Sequence, residues 1–295
     1  MEPFPLPTVV PTSRGPVELA DWGEGPAVLA IHGAMGGHDQ GVLLARTVGE
    51  GGYRYLAPSR PGYLGTPLSA GKSAEDQADL YAEVLERLGI RSAAVMAVSG
   101  GGPSALLFAA RHPALCWGLV LVSTCSGIIL EKLPLAFHLM KLLVRLPGFA
   151  ASLRRRTERH CEKAAARSIR DPAVLARTLG EAEAGSLMKA LMLSTADRMA
   201  RRLPGTENDV RITRTTTYPL ERILAPTLVV HGTADRVVSF DHARTLVARI
   251  PGARLLTVEG GEHVAIFTDR DRVRAAVTAF LREHAPAKGQ SGTGT

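Results

Sequence analysis

Three short segments place a serine, an aspartate and a histidine where they can take part in nucleophilic chemistry. Ser99 follows a buried apolar run and precedes three glycines, in MAVSGGGPSAL. Asp235 lies in HGTADRVV and His263 in GGEHVAIF, each shortly after another apolar run. A serine hydroxyl is a weak nucleophile that needs a nearby base, and an imidazole held by a carboxylate supplies one. The sequence therefore predicts Ser99 as nucleophile, His263 as base and Asp235 as the group that orients the base.

The residues around Ser99 have the composition of a tight strand-to-helix turn. Ala97, Gly100 and Gly101 are small, as such a turn requires if it is to close with its hydroxyl exposed. A glycine-rich turn capped by a serine shares this local pattern. A phosphate-binding loop is disfavoured because no Gly-Lys-Ser or Gly-Lys-Thr ending follows. The companion residues Asp235 and His263 favour the nucleophile interpretation.

Other titratable residues compete for these roles. His32, directly before Gly33, is an alternative base. His231 lies at the end of an apolar run and is interpreted as structural. Asp39 is interpreted as a loop or capping residue that can also shape the pocket, and His38 as a surface or helix residue.

Alternating strands and helices must position the three residues. Apolar runs predict strands over 16–22, 27–31, 54–57, 93–98, 118–123, 227–230 and 254–258, and periodic segments predict helices over 73–89, 103–112, 241–250 and 269–284. The strand over 16–22 is expected at an edge. Continuously apolar strands that alternate with helices indicate a parallel sheet covered on both faces. Functional residues of such sheets lie at the carboxyl ends of the strands.

Residues 126–222 interrupt this alternation. They contain no strand-like run and are mostly helical in period, which predicts a helical cap. The predicted organisation is a core over 1–125 and 223–284, a cap over 126–222 and a disordered tail over 285–295. The strongly apolar stretch 128–149 is interpreted as a helix pair that lines an apolar pocket. A cap that contacts a lipid surface is the alternative.

Charge and cysteine usage exclude several classes of protein. The 295 residues hold 35 Lys and Arg against 28 Asp and Glu, a net charge of +7. Residues 126–222 account for the excess, with 18 basic and 10 acidic residues. A basic cap without a recognition motif argues against a nucleic-acid partner and leaves either a solvated surface or a mild attraction for anionic substrates or lipid headgroups. Three cysteines without a CxxC pair, no visible secretory signal and no long apolar segment predict a cytoplasmic chain.

We call the tight turn at Ser99 the elbow. The elbow and the segments that hold Asp235 and His263 together resemble the α/β-hydrolase fold family, and the resemblance extends over about residues 17–283. The family pattern is G-x-S-x-G, and Ala97 replaces its first glycine. The resemblance implies an α/β fold with a mostly parallel eight-stranded sheet, helices on both faces and a helical cap insertion. It also implies the chain order Ser, Asp, His for the catalytic triad.

The same resemblance assigns further residues of the site. The segment IHGAMGG matches the family's oxyanion loop, so the backbone N–H groups of Ala34 and Gly100 are the expected oxyanion hole, with Met35 a less favoured donor. His32, Met35 and Tyr63 are the expected substrate contacts, Tyr63 because PSRPGYLGTP matches the loop after the fourth strand.

A serine at the elbow sets the expected reaction. Members of the family that are haloalkane dehalogenases or epoxide hydrolases carry aspartate there, so Ser99 argues against both. The expected activity is hydrolysis of a carboxylic ester or related acyl bond in a small to medium apolar molecule, through an acyl-enzyme and without metal or organic cofactor. Hydrolysis of a C–C bond or a lactone on the same triad is the alternative, and a non-catalytic ligand-binding protein of the same fold is another.

Overall fold

Eight strands form one sheet in a computed structural model that describes residues 3–129 and 135–286. They are β1 (Thr8–Thr12), β2 (Gly15–Trp22), β3 (Ala27–Ile31), β4 (Arg54–Pro58), β5 (Ala93–Val98), β6 (Cys116–Val122), β7 (Thr227–Gly232) and β8 (Arg254–Val258). Their order in the sheet is β1-β2-β4-β3-β5-β6-β7-β8. Strand β2 pairs antiparallel with both of its neighbours, β1 and β4, and every other pairing is parallel, which confirms the mostly parallel sheet.

The sheet edge differs from the prediction. Strand β1 is not among the predicted strands, and it displaces β2 from the edge to the second position. The short sequence TVVPT contains Pro11, which removes a backbone donor and weakens a strand pattern. Proline is accepted on an edge strand because one row of the strand's N–H groups faces away from the sheet and forms no ladder hydrogen bond. The prediction that 16–22 forms the edge is therefore wrong.

Twelve α-helices accompany the strands within the described residues. They are α1 (His38–Val48), α2 (Ala74–Arg87), α3 (Gly102–Arg111), α4 (Leu135–Leu143), α5 (Phe149–Arg159), α6 (Cys161–Ala165), α7 (Pro172–Gly180), α8 (Ala182–Ala196), α9 (Leu203–Thr215), α10 (Phe240–Arg249), α11 (Ala265–Thr268) and α12 (Arg270–His284). Helix α1 is not among the predicted helices. Every residue in it except Arg46 is buried, including the polar residues His38, Asp39 and Gln40.

Helices cover both faces of the sheet, and each face has its own apolar core. Leu29 and Val95 pack with α2, α3 and α10 on one face. Val28 and Met96, their neighbours along the same strands, pack with α1 and α12 on the other. Successive side chains of a strand point to opposite faces, so each central strand supplies both cores. The continuous apolar runs of the sequence follow from this arrangement.

The parallel register brings three loops to one edge of the sheet. Val98 of β5 pairs with Val122 of β6, and Val122 in turn lies opposite Val230 of β7. Gly232 ends β7 beside Val258, which ends β8. The loops that follow β5, β7 and β8 therefore leave the sheet side by side, and they carry the serine, aspartate and histidine singled out above.

The segment between β6 and β7 is helical in its described part. Helices α4 to α9 lie there, with no strand in residues 123–129 or 135–226. We call residues 126–222 the cap. Residues 130–134 of the cap and residues 287–295 of the predicted tail lie outside the described residues.

Candidate active site

The turn at Ser99 is as tight as its sequence indicates. Strand β5 ends at Val98, and Ser99 adopts a positive φ of 51°, a conformation that L-residues rarely hold. A carbon added at Gly101 would lie 2.6 Å from the His32 carbonyl oxygen, and one at Gly102 would overlap Thr124. Only glycine fits at these two positions, because the His32 carbonyl group and the Thr124 side chain leave no room for a Cβ atom. The glycine run is thus required by packing around the elbow.

Ser99, His263 and Asp235 form one chain of hydrogen bonds. The Ser99 hydroxyl lies 3.0 Å from His263 Nε2 and donates to it. His263 Nδ1 donates to Asp235 Oδ2 at 2.8 Å, since a carboxylate only accepts. The Asp235 side chain is fully buried, whereas the imidazole is 22 % exposed. This order of contacts fixes the imidazole so that Nε2 faces the serine.

Four neighbours hold Asp235 in place. Its Oδ1 accepts hydrogen bonds from the backbone N–H groups of Val237 and Val238, at 2.8 and 3.0 Å. His231 Nε2 lies 3.4 Å from Oδ2 and donates to the Val238 carbonyl at 2.9 Å. Burial alone would raise the pKa of the Asp235 carboxyl, but the hydrogen bonds from His231 and His263 lower it well below the usual range. The carboxylate stays ionised, and His231 has the structural role that its strand-end position indicated.

The backbone N–H groups expected to bind an oxyanion lie close together. A carbon added at Gly100 would be 3.2 Å from the Ala34 nitrogen, and one at Gly33 would be 3.2 Å from Ser99 Cβ. The loop after β3 therefore lies against the elbow. The N–H of Met35 donates to Thr206 Oγ1 at 2.9 Å. That bond occupies the Met35 donor and leaves Ala34 and Gly100 as the pair beside Ser99.

An apolar cavity of about 500 Å³ opens above Ser99 and His263. Most of its wall is aliphatic, aromatic or thioether in character. The residues that line it are Gly33, Ala34, Met35, Gln40, Leu43, Leu44, Val98, Ser99, Met140, Leu153, Thr157, Ala164, Arg167, Ser168, Leu191, Met192, Thr195, Ala196, Met199, Val237, His263, Val264, Ile266 and Phe267. Volume and lining match those of small-molecule sites, where few polar groups orient a mainly apolar ligand.

Residues 26–270 match the sequence profile of the family described as alpha/beta hydrolase fold. The chain belongs to the α/β-hydrolase fold family. A solved structure of an alpha/beta hydrolase fold protein from Nakamurella multipartita is similar over 94% of this chain and 99% of its own, with 33% identity and a TM-score of 0.83.

Curated relatives of this α/β-hydrolase are named as hydrolases. An uncharacterized hydrolase, YcgS, from Bacillus subtilis (strain 168) is 26% identical over 260 residues, which cover 85% of this chain and 89% of the relative. A 2-hydroxy-6-oxononadienedioate/2-hydroxy-6-oxononatrienedioate hydrolase from Burkholderia vietnamiensis (strain G4 / LMG 22486) is 28% identical over 283 residues, covering 90% and 91%. The similarity runs through core and cap alike, and the chain is a hydrolase.

Two of the three expected substrate contacts lie away from the cavity of this α/β-hydrolase. His32 is fully buried, and its Nε2 accepts from the Arg60 N–H at 3.0 Å while Nδ1 donates to the Gly33 carbonyl at 2.6 Å. Burial and the nearby Arg60 guanidinium hold the pKa of His32 well below its usual value, so the ring is neutral. Tyr63 is also fully buried. Contact of His32 or Tyr63 with substrate is contradicted by this packing, whereas Met35 does line the cavity.

The tyrosine belongs instead to a buried polar cluster that sequence reasoning missed. Arg60, 1% exposed, binds both carboxylate oxygens of Asp209 on α9, at 2.7 and 2.5 Å. The Tyr63 hydroxyl donates to Asp209 at 2.6 Å and lies 3.2 Å from Thr206 Oγ1, the acceptor of the Met35 N–H. The cap helix α9 is therefore tied to the oxyanion loop through hydrogen bonds.

A second buried ion pair also joins cap and core, but here the cap supplies the arginine and the core supplies the aspartate. Arg202, directly before α9, is fully buried and binds both oxygens of Asp39 at 3.0 and 2.7 Å. Ser194 also donates to Asp39, and despite burial the Arg202 guanidinium holds the pKa of this carboxyl far below its usual range. The neighbouring His38 is the first residue of α1 and is buried, so of its two predicted settings, surface or helix, the helix is confirmed. We call the Arg60–Asp209 and Arg202–Asp39 pairs the clamp. Nothing in the spacing of these four residues marks them as partners.

Residues 3–129 and 135–286 contain neither a metal cluster nor a membrane-spanning helix. Their His, Cys, Asp and Glu side chains nowhere form a group of three or more able to hold a metal ion. The longest described helices, α8 and α12, have 15 residues each. About 20 apolar residues are needed to cross a bilayer, and no described helix meets the requirements.

Proposed function

We propose that this α/β-hydrolase is a serine hydrolase that cleaves a carboxylic ester or related acyl bond of a small to medium apolar molecule. The observation that carries the proposal is the hydrogen-bonded series Ser99–His263–Asp235 at the floor of an apolar cavity. Each of these groups is oriented by the next one, which is the arrangement that activates a serine hydroxyl.

The proposed reaction begins with proton transfer from the Ser99 hydroxyl to His263 Nε2. The Ser99 oxygen bonds to the carbonyl carbon, and the negative charge that forms on the carbonyl oxygen is bound by the N–H groups of Ala34 and Gly100. His263 then gives its proton to the leaving alcohol as the C–O bond breaks. Water, deprotonated by His263, attacks the acyl-enzyme, and the acid leaves as Ser99 regains its proton. Asp235 stabilises the imidazolium in both halves.

Cleavage of a C–C bond is the second candidate, and the names of several relatives favour it. A 2-hydroxy-6-oxononadienedioate/2-hydroxy-6-oxononatrienedioate hydrolase shares 28% identity over almost the whole chain. On this alternative Ser99 attacks a ketone carbonyl, and the breaking C–C bond leaves its electron pair on carbon, which takes a proton from His263. Serine, base and oxyanion donors keep the same roles.

A substrate panel tests both candidates. Purified protein is assayed with p-nitrophenyl esters of graded acyl length, a lactone and a 1,3-diketone, and Ser99→Ala is the matched control. We expect ester turnover that is lost in Ser99→Ala, because the hydroxyl is the attacking atom. Poor ester turnover with efficient cleavage of the diketone or lactone would select the alternative. Ester turnover retained by Ser99→Ala would remove Ser99 from the mechanism, and no turnover of any substrate would favour a ligand-binding protein.

We further propose a cytoplasmic chain that acts on a small molecule and does not bind nucleic acid. Cys116, Cys125 and Cys161 are all free thiols, which fits a reducing compartment. Burial raises the pKa of Cys116 to about 12 and that of Cys125 to about 11, so both thiols are unreactive. Recovery of the protein from the culture medium instead of the cell lysate would contradict the cytoplasmic assignment.

A further inference from the structure

A basic groove of about 200 Å³ lies on the cap beside the catalytic cavity. Arg156, His160, Lys163 and Arg167 supply its polar wall, and all four are exposed. No acidic side chain lines the groove among the residues that the structure describes. Positive charge concentrated in a concave surface attracts anions. We call these four residues the basic groove.

Basic side chains elsewhere on the cap are partly neutralised. Lys141 contacts Glu207 at 2.5 Å, and Arg154 lies 3.7 Å from Asp197. Within the described chain, the ion pairs include none of the basic groove residues. Like charges in one concave surface repel each other, and an anion bound between them removes that repulsion.

The basic groove and the catalytic cavity share part of their wall. Leu153, Thr157, Ala164 and Arg167 line both. Arg167 is the one Arg or Lys among the described residues of the cavity wall. Arg167 therefore lies where the cavity meets the basic groove, and a ligand whose apolar part fills the cavity can reach the remaining basic groove residues past Arg167.

We propose that the basic groove binds a carboxylate or phosphate at the end of the substrate opposite the scissile carbonyl. The proposal rests on the proposed function and narrows its substrate class to anionic amphiphiles: an apolar chain for the cavity, an anionic end for the basic groove. The selectivity of the basic groove is then measured by the ratio of the rates for anionic and neutral substrates of equal length.

Matched substrates and matched variants test this assignment. The substrates are p-nitrophenyl esters of equal chain length that end in a methyl, a carboxylate or a phosphate group. The groove variant is Arg156→Gln/Lys163→Gln, which changes two residues that line the groove but not the cavity. The control is Arg155→Gln/Arg159→Gln, which removes the same charge from exposed positions of α5 outside the groove.

The readout is kcat/KM for the anionic ester divided by kcat/KM for the neutral ester. We expect this ratio to fall about 3- to 10-fold in the groove variant and to stay within about 2-fold in the control, since exposed ion pairs contribute little each. Added salt should lower the wild-type ratio. The carboxylate and phosphate arms identify which anion is preferred. An unchanged ratio, or an equal fall in both variants, overturns the proposal.

A binding measurement separates this proposal from the proposed function. Decyl phosphate is titrated into Ser99→Ala and into Ser99→Ala with the groove substitutions, at low ionic strength. Weaker binding by the second protein supports the basic groove even if the esters are not turned over. Equal binding by both proteins, together with normal turnover of neutral esters, leaves the serine hydrolase intact and overturns the groove.

Discussion

The floor and the roof of the cavity are built in different ways. The floor consists of the cavity residues from the core, among them Ser99, His263 and Ala34. Partly buried hydrogen bonds join its Ser99 and His263 to Asp235. The roof consists of the cavity residues between Met140 and Met199. Helix α5, which carries Leu153 of the roof, has no buried residue. We expect the proposed chemistry, which tolerates little displacement, to depend on the floor, and substrate preference to depend on the roof.

Helix α9 belongs with the floor although it is part of the cap. Six of its residues are buried, and the clamp fixes both its start and its middle. The cap thus has one end anchored beside the oxyanion loop and another end exposed above the cavity. Substitutions on the floor or in the clamp should cost activity or stability heavily, and substitutions in the roof should mainly change preference.

The largest effect is expected at Asp235. Asp235→Asn keeps the size of the side chain but removes the charge that stabilises the His263 imidazolium, so kcat/KM for an ester should fall about 10³- to 10⁴-fold. The melting temperature, measured by circular dichroism, checks that the fold survives. Asp241→Asn, an exposed position on α10, is the control and should retain full activity. A loss below about tenfold would mean that Asp235 does not orient the base.

The clamp should have the next largest effect, on stability. Asp209→Ala leaves the Arg60 guanidinium buried without its partner, and the free energy of unfolding should fall by about 3–5 kcal/mol in urea titration. Glu207 lies on α9 like Asp209, but it is half-exposed and pairs with Lys141. Glu207→Ala should therefore lower the free energy of unfolding by about 1 kcal/mol or less. The double variant Arg60→Leu/Asp209→Leu should recover part of the loss. Equal costs for Asp209→Ala and Glu207→Ala would remove the distinction between anchored and open ends of the cap.

Glu18, on β2 of the core, should make the stability of the fold depend on pH. It accepts hydrogen bonds from Ser59 at 2.7 Å and from the Gly65 N–H at 3.0 Å, and it pairs with His38. Burial raises the pKa of Glu18, but these bonds outweigh burial and lower it from 4.5 to about 2. A depressed carboxyl pKa stabilises the fold above the ordinary pKa, and the contribution disappears as the pH falls from about 4.5 to about 2.

The Glu18→Gln variant tests this dependence. Relative to wild type it should lose on the order of 3 kcal/mol of stability near neutral pH, and the difference should shrink towards pH 2. Guanidinium titrations at several pH values provide the measurement. Glu86→Gln, an exposed change on α2, is the control and should follow wild type. A difference that does not vary with pH would show that Glu18 acts by packing alone.

The smallest effect on stability is expected in the roof. Leu153 is partly exposed, so Leu153→Ala should cost about 1 kcal/mol. It should nevertheless shift the preferred ester towards longer acyl chains, because the wall recedes. Leu146→Ala changes an exposed leucine of the cap that does not line the cavity and should leave the chain-length profile as it is. Identical profiles for both variants would contradict substrate selection by the roof.

The sequence predicts most of the sheet and the Ser99–His263–Asp235 series because their signals are local. Buried parallel strands read as apolar runs, and the elbow needs small residues beside Ser99. The loop sequence alone predicts that Tyr63 contacts the substrate, but the Tyr63 hydroxyl instead donates to Asp209, which lies 146 positions away. Arg202 and Asp39 are 163 positions apart. Contacts of this kind depend on how the cap packs against the core. The spacing of residues within one segment carries no information about that packing.

Labelling with a fluorophosphonate tests the central claim most directly. The probe reacts only with a serine whose hydroxyl has been activated by a neighbouring base, and peptide mass spectrometry locates the adduct. We predict one adduct, on Ser99, that is absent from Ser99→Ala and strongly reduced in His263→Ala. A folded wild-type protein that does not react, or an adduct on a different residue, would contradict the claim that Ser99 is the nucleophile.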